Sequence, residues 1–382
     1  MDQATLRAIN TTIAKYFKTV EEAVLRKRVV LAMLMSKGNI HMGASGLKMN
    51  WKIRFRRTSS QPLLGGQTLT FVPRDQWRTA ELGWRGFAST NSIEEFELEM
   101  NKGKEAIVNV WSNAAKLLAS DIEQNFADQL YTDGEASGRE SDLHGFESIF
   151  GTNGVSTKRP IGINDDSYAG VATDLASEGG SWSTTGTNTS YTDWPDGRGD
   201  YHYDFFTPLV VNYSSTISTS AGAGNIGWSA STKTWLNTCI EALRFGILGC
   251  SKNDGPDAKM DLIILEQAMM RDLKNKLQAE EQITVTKNTG PGSPYALGFT
   301  DTINVDGVDC MWEYGVPANV GYGLPLGLIE LHSLKPKLFN PGGPDFRPED
   351  QSWRIWTKFM GNLKFGNEKG GVRNFLKFAA LG

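Results

Sequence analysis

Cysteine is scarce in this chain. Only Cys239, Cys250 and Cys310 stand among 382 residues, and none belongs to a CxxC pair, which excludes a disulfide framework and a zinc ribbon. Histidine is equally thin. His41, His144, His202 and His332 are widely scattered, and none sits in an HExxH or nucleophile–base signature. An excess of positive charge is also missing: lysine and arginine total 39 against 43 acids, a net charge of −4. A protein built to grip duplex DNA is strongly basic, so that role is set aside. Long apolar runs are lacking too. The most lipid-like stretch, Val29 to Met35, falls far short of the ~18 residues that cross a bilayer. The first residues, with Asp2 among polar neighbours, lack the apolar stretch of a signal peptide. The expectation is a protein that is soluble when made in the cytosol, with no metal, cofactor or membrane.

What is present is ordinary globular material. Apolar residues make up 40% and glycines number 41, enough for a sizeable core with many turns. Motifs for chemistry do not emerge. Gly321-Tyr322-Gly323-Leu324-Pro325-Leu326-Gly327 has the look of a dinucleotide loop, but the spacing is wrong and Pro325 stands where the helix should open. The stretch reads as turn glycines. His202 beside Asp200 and Asp204 reads as solvated surface. Cys239 and Cys250 flank a predicted helix and read as small core residues. Neither a Walker loop nor a carboxylate dyad stands out, so no catalytic, cofactor-binding or metal residues are assigned.

Periodicity supplies the architecture. Residues 1–35 read as two helices, with Thr19 and Glu22 forming a capping box for the second, which stops near Gly38. Leu47 to Arg57 alternates as a strand. A turn-rich stretch from Ser59 to Gly66 follows, then a return strand through Trp84 and Phe87 towards Ile93, Phe96 and Leu98. This is one very long hairpin. Between its arms lie Leu63, Leu64, Leu69, Phe71, Val72, Trp77, Leu82, Trp84 and Phe87, yet a two-stranded ribbon is marginal alone. It needs another surface to lie on.

The clearest element comes next. Ile107, Trp111, Ala114, Leu118, Ile122, Phe126 and Leu130 follow one helical face from Lys104 to Tyr131, and Asp133-Gly134 ends the run. Such a helix spans about 40 Å, the length of a structural spar. Beyond it, residues 176–200 read as a low-complexity loop, Phe205–Tyr213 as a strand, and Lys233–Leu248 as a helix with Trp235, Cys239, Leu243 and Ile247 inward. Asp261–Leu265 reads as a buried strand followed by a helix to Gln278, then a strand at Ile283–Thr286 and short strands between Tyr295 and Val316. Pro341-Gly342-Gly343-Pro344 marks a boundary before the alternating Trp353–Phe359. The class is α+β.

Charge is distributed unevenly along this plan. Residues 50–90 hold Lys52, Arg54, Arg56, Arg57, Arg74, Arg78 and Arg85 against Asp75 and Glu81. Residues 121–150 hold Asp121, Glu123, Asp128, Asp133, Glu135, Glu140, Asp142 and Glu147 against Arg139, and Glu94, Glu95, Glu97 and Glu99 line the hairpin base. Two solvated faces would explain this. The sharper reading, favoured because the ribbon needs a surface, lays the basic ribbon of one copy across the acidic spar of the next. That contact is heterologous and propagates into rings or shells. Its candidate residues are Arg54, Arg56, Arg57, Arg74, Arg78, Trp77 and Trp84 on the ribbon. Glu94, Glu95, Glu97, Asp121, Glu123 and Asp128 stand opposite.

The order of elements resembles the tailed-phage major capsid proteins with the Hong Kong 97 fold. The helix exit through Leu130-Tyr131-Thr132-Asp133-Gly134 to Leu143-His144-Gly145-Phe146, and the closing Trp356-Thr357-Lys358-Phe359-Met360-Gly361-Asn362-Leu363, are similar to segments of that family. The resemblance implies an N-terminal arm over 1–46, an extended loop over 47–100 and a peripheral domain with the spine helix over 101–150. It further implies an axial domain over 151–329 and C-terminal strands returning to the peripheral domain over 330–382. The implied role is structural and not enzymatic: a virion shell of hexamers and pentamers around double-stranded DNA, assembled in the host bacterial cytoplasm. Separate scaffolding, portal and decoration proteins are implied partners. Family members that cross-link their subunits use a lysine on the extended loop. None stands between Ile53 and Met100, so a non-covalent shell is expected. An encapsulin-type compartment with the same fold is the alternative. A carbohydrate-active enzyme or lectin, with Asp193-Trp194 and Asp196 as its only carboxylate cluster, is the second.

Overall fold

The computed structural model describes residues 28–54, 64–66, 68–69, 71, 77–100, 104–151, 153–155, 161–164, 166–173, 206–214, 228, 232–250, 259–280, 294, 297, 299, 301–367 and 371–381. In chain order the elements begin with α1 (Val29–Lys37), β1 (Ile40–Met42), β2 (Lys48–Arg54), β3 (Trp77–Gly83), β4 (Arg85–Glu94), α2 (Glu95–Met100) and α3 (Lys104–Gln129). Then come α4 (Glu147–Phe150), β5 (Asn153–Val155), β6 (Ile161–Asn164), β7 (Ser167–Tyr168), β8 (Val171–Ala172), β9 (Leu209–Asn212) and α5 (Trp235–Cys250). The remainder is β10 (Leu262–Leu265), α6 (Gln267–Glu280), β11 (Ile303–Val305), β12 (Val308–Trp312), β13 (Val320–Leu324), β14 (Ile329–Ser333), β15 (Asn340–Arg347), β16 (Ser352–Phe365) and β17 (Leu376–Ala379). They group into two units. Among the described residues, no helix is long and apolar enough to cross a membrane.

One unit comprises Met1–Leu47, Gly83–Phe146 and Glu330–Lys364. Its α1 is apolar almost throughout, and Val29 to Leu34 are buried. Gly38 stops it in the left-handed conformation at φ 74, while the Asn39 N–H returns to the Leu34 carbonyl at 3.0 Å, a C-terminal cap that favours glycine. At the centre of the sheet is β16. It pairs antiparallel with β4 from Ser352↔Glu94 to Gly361↔Arg85 and, on its other side, with β15. Strand β14 also neighbours β16, and β1 adds to β14 in parallel. Alternation along β16 buries Ile355, Thr357 and Phe359 and leaves Lys358 and Met360 exposed. The buried side meets α3, whose Trp111, Ala114, Leu118, Ile122 and Phe126 are buried as the period predicts. Trp111 meets Trp353 edge-on at 6.4 Å, and Phe126 meets Phe359 edge-on at 5.1 Å.

The other unit comprises Lys48–Leu82, Glu147–Ile329 and Phe365–Gly382. Its eight-stranded sheet runs β11-β12-β10-β13-β17-β9-β6-β5. Strands β9, β10 and β17 are buried at every position; β10 is therefore an unbroken apolar run, while β9 and β17 also bury Asn212 and Lys377. Helix α5 turns Trp235, Cys239, Leu243 and Ile247 inward as expected, and the Trp235 indole N–H donates to the Met269 carbonyl of α6 at 2.9 Å. All three cysteines are buried and outside any disulfide. Burial, with Asp309 and Asp306 nearby, pushes the Cys310 thiol up. The hairpin base β2–β3 belongs to this unit, its Trp51 ring 6.4 Å from Tyr168 and the Glu81 N–H donating to Ala169 at 2.9 Å.

Five expectations change. The return strand is not continuous: β3 pairs with β2, whereas β4 pairs with β16. Phe96 and Leu98 lie on α2, because Glu95 and Glu97 in its first turn favour a helix start. Pro341 to Pro344 form no boundary but part of β15, an edge strand with an irregularity between Gly342 and Asp345, where missing N–H donors are tolerated. Gly321 and Gly323 are strand residues of β13, not turn glycines. A Cβ at Gly321 would meet the end of the Leu265 side chain at 2.6 Å, so that side chain would have to shift to admit one. Last, the block 330–382 divides: residues to Lys364 stay with β16's unit, while β17 enters the eight-stranded sheet between β13 and β9. The Thr19–Glu22 cap, the 176–200 loop, the Ile283–Thr286 strand, the Ile107 side chain, and the His202 and Asp193 clusters lie outside the described residues.

Candidate assembly surfaces

The hairpin presents two contrasting ends. At its base Trp51, Ile53, Ala80 and Leu82 are buried, and Lys48 pairs with Glu81 at 3.0 Å across the strands. Further out, Leu64 is 75% and Phe71 86% exposed, with Leu69 and Trp77 also exposed. Arg78 is exposed at the start of β3. Arg54 closes β2, its side chain outside the described set, as are Arg56, Arg57 and Arg74. Trp84 is occupied within its own unit: its indole N–H donates to the Gly46 carbonyl at 2.8 Å.

The acidic partners are spread over three places. Glu94 is exposed at the end of β4, and Glu95 and Glu97 begin α2. Asp121 and Asp128 are exposed on α3 and flank a polar cleft of about 330 Å³ against β4, with Ser89, Thr90, Gln124 and Asn125 in its walls. The Asn125 amide donates to the Ser89 hydroxyl at 3.2 Å, holding the cleft together. Glu123 is half-buried on the same helix.

One basic ribbon residue meets the acidic segment inside its own unit. The Arg85 Nη1 donates to the carbonyls of Gly134 (2.6 Å), Arg139 (3.0 Å) and Asp142 (2.7 Å). Burial lowers the Arg85 pKa, and Glu135, Asp142, Glu140 and Asp133 oppose that fall. The helix exit is therefore fastened from within. Asn362 completes the fastening: its amide donates to the Gly83 carbonyl and to His144 Nδ1 at 2.8 Å each, and its oxygen accepts the His144 backbone N–H at 3.1 Å. Burial first, then the Arg85 charge, lowers the His144 pKa to about 4 against the Asn362 hydrogen bond. Gly145 packs so tightly that a Cβ would lie 2.5 Å from the Leu130 carbonyl oxygen. The sequence motif around the helix exit thus has a backbone reason.

Sequence reasoning passed over one surface. The open side of the β4–β16–β15 sheet carries Arg347, Arg354 and Lys358 around Trp356, with Asp345 among them, in a hollow of about 580 Å³. The Lys358 ammonium lies 5.7 Å from the Trp356 ring centroid. The signal was the alternation Arg354, Trp356, Lys358 within the last strand, which places all three on one face.

A long helix backing one sheet, a hairpin whose outer apolar residues are exposed, and a second unit built on an eight-stranded sheet define a mixed fold of helices and strands. The particular fold is the Hong Kong 97-like fold of phage major capsid proteins. The chain is similar to the subunit in the capsid of a native GTA particle, at a TM-score of 0.52 and 10% identity over 91% of each chain. It is also similar to the subunit of the cyanophage A-1(L) capsid, at a TM-score of 0.50 and 12% identity over 90% of each. No protein-family model and no curated protein matches the sequence.

Proposed function

We propose that this chain is the major capsid subunit of a tailed bacteriophage, assembling without covalent cross-links into an icosahedral shell around double-stranded DNA. The observation that carries the reading, beside the fold, is the exposed outer hairpin: Leu64, Leu69, Phe71 and Trp77 form a surface that a sister subunit would cover. In this reading residues 1–46 act as an arm, 47–100 as the extended loop, 101–150 with part of 330–382 as the peripheral domain, and 151–329 as the axial domain meeting at five- and six-fold centres. The role is structural and not enzymatic. Arg54, Arg56, Arg57, Arg74 and Arg78 then face Glu94, Asp121, Glu123 and Asp128 of a neighbour. The near-neutral charge suits an inner wall that must release its genome. Scaffolding, portal and decoration functions would come from separate proteins in the host cytoplasm.

Electron microscopy and sedimentation of the expressed full chain test this directly. The expected product is closed shells, alone or with a co-expressed scaffolding protein. A species of one to four subunits under every such condition would overturn the proposal.

A further inference from the structure

Two of the four scattered histidines meet in the fold. β1 and β14 are parallel, and their register makes His41 the direct partner of His332. Side chains at paired positions share a face of the sheet, and so does the residue two places earlier on the same strand, which is Glu330. The His41 and His332 rings lie 4.9 Å apart, tilted by 31°. Glu330 Oε2 is 2.9 Å from His332 Nε2. A ligand atom from each of the three residues lies within 4.8 Å of the others.

The backbone beneath the cluster is held at both ends. The Leu331 N–H donates to Asn39 at 3.0 Å, and the Ala44 N–H donates to Ser333 at 2.9 Å. The three donors therefore start from fixed positions and need only side-chain rotation to converge. His41 is exposed, while the His332 and Glu330 side chains are about one-fifth exposed (19% and 21%). Solvent can reach the cluster and complete a coordination shell. Two imidazoles and one carboxylate are donors for a borderline transition ion such as Zn²⁺ or Co²⁺, not for the all-oxygen shells of Ca²⁺ or Mg²⁺.

We propose that His41, Glu330 and His332 form a binding site for a divalent transition-metal ion that staples β1 to β14. The ion would join the segment entering the sheet near the amino terminus to a strand from the last third of the chain. A competitor stands beside it: the Lys364 ammonium sits 2.9 Å from the same Glu330 oxygen. A divalent ion and an ammonium repel, so Lys364 must swing aside as the ion enters. Its removal should therefore strengthen binding rather than weaken it.

The test titrates the purified full chain with Zn²⁺ by calorimetry and with Co²⁺ by visible absorption, which reports imidazole ligation. One ion per chain is expected. His41→Ala, His332→Ala and Glu330→Gln should each weaken binding by roughly tenfold or more, Lys364→Met should tighten it, and His202→Ala should change nothing. Because His41 is exposed, its variant retains the fold and decides the matter even if a β14 variant does not. Absence of one-to-one binding, equal binding by the His41→Ala variant, loss on His202→Ala, or weakening by Lys364→Met would each overturn the proposal.

Discussion

The two ends of the hairpin both carry large apolar side chains and meet opposite fates. Trp51 and Leu82 at the base are 7% and 2% exposed, whereas Leu64 and Phe71 further out are 75% and 86% exposed. What separates them is burial: the base rests near Tyr168 and Ala169 within its own unit, and the outer residues are exposed to solvent. Under the proposed function, stability and assembly are written into one ribbon at different positions. The base packs within the subunit, and in that reading the outer segment is covered by a second copy.

The bluntest way to probe this division is to remove the scaffold itself. A proline at Leu118, buried in the spine helix, costs ~3 kcal/mol or more, and the expected outcome by circular dichroism is no folded subunit. A soluble, assembling Leu118→Pro chain would remove the spine assignment. The sharper probe sets the ends against each other. Trp51→Ala should lower the subunit's unfolding free energy by about 3–5 kcal/mol in urea. Phe71→Ala should change it by less than about 0.5 kcal/mol and instead reduce shell yield. Equal stability losses from both would erase the distinction.

Acid offers a gentler handle on the intramolecular side. The unfolded chain protonates His144 near 6.5, whereas the folded chain does so only near 4 because of burial and Arg85. The unfolded state thus takes up the proton first. His144 contributes stability that is fully present above about pH 6.5 and is lost as the pH falls through about 4, up to about 3 kcal/mol in all. Urea midpoints at pH 7 and pH 4.5 should show this loss in the native chain and less of it in His144→Gln. The smallest effect on the subunit is expected from reversing Arg54, Arg56 and Arg57 to glutamate. Folding should survive and assembly should fail at low salt. Normal shells from that variant would show that charge pairing is not what seats the ribbon.

Much of this fold was legible in the sequence. The spine helix, α5 with its four inward residues and the buried strand β10 all announced themselves, because a sustained period of 3.6 or an unbroken apolar run has few readings. Short segments did not. Ile93, Phe96 and Leu98 suit either a strand or a helix, and only the glutamates of α2 decide. The prolines of β15 looked like punctuation because nothing local shows that a strand lies at an edge. The candidate surfaces were readable only in part. Trp77 and Arg78 are exposed as the charge reading requires, but Trp84 and Arg85 are used inside their own unit. His41 and His332 are brought together by strand register, which no local pattern reveals.

One labelling experiment reaches the centre of the account. The native cysteines are all buried, so a Phe71→Cys thiol would react selectively with a maleimide. Labelling is expected to be fast in the isolated subunit and strongly suppressed in the assembled shell. Protection already in the subunit, or equal labelling in both states, would contradict this expectation.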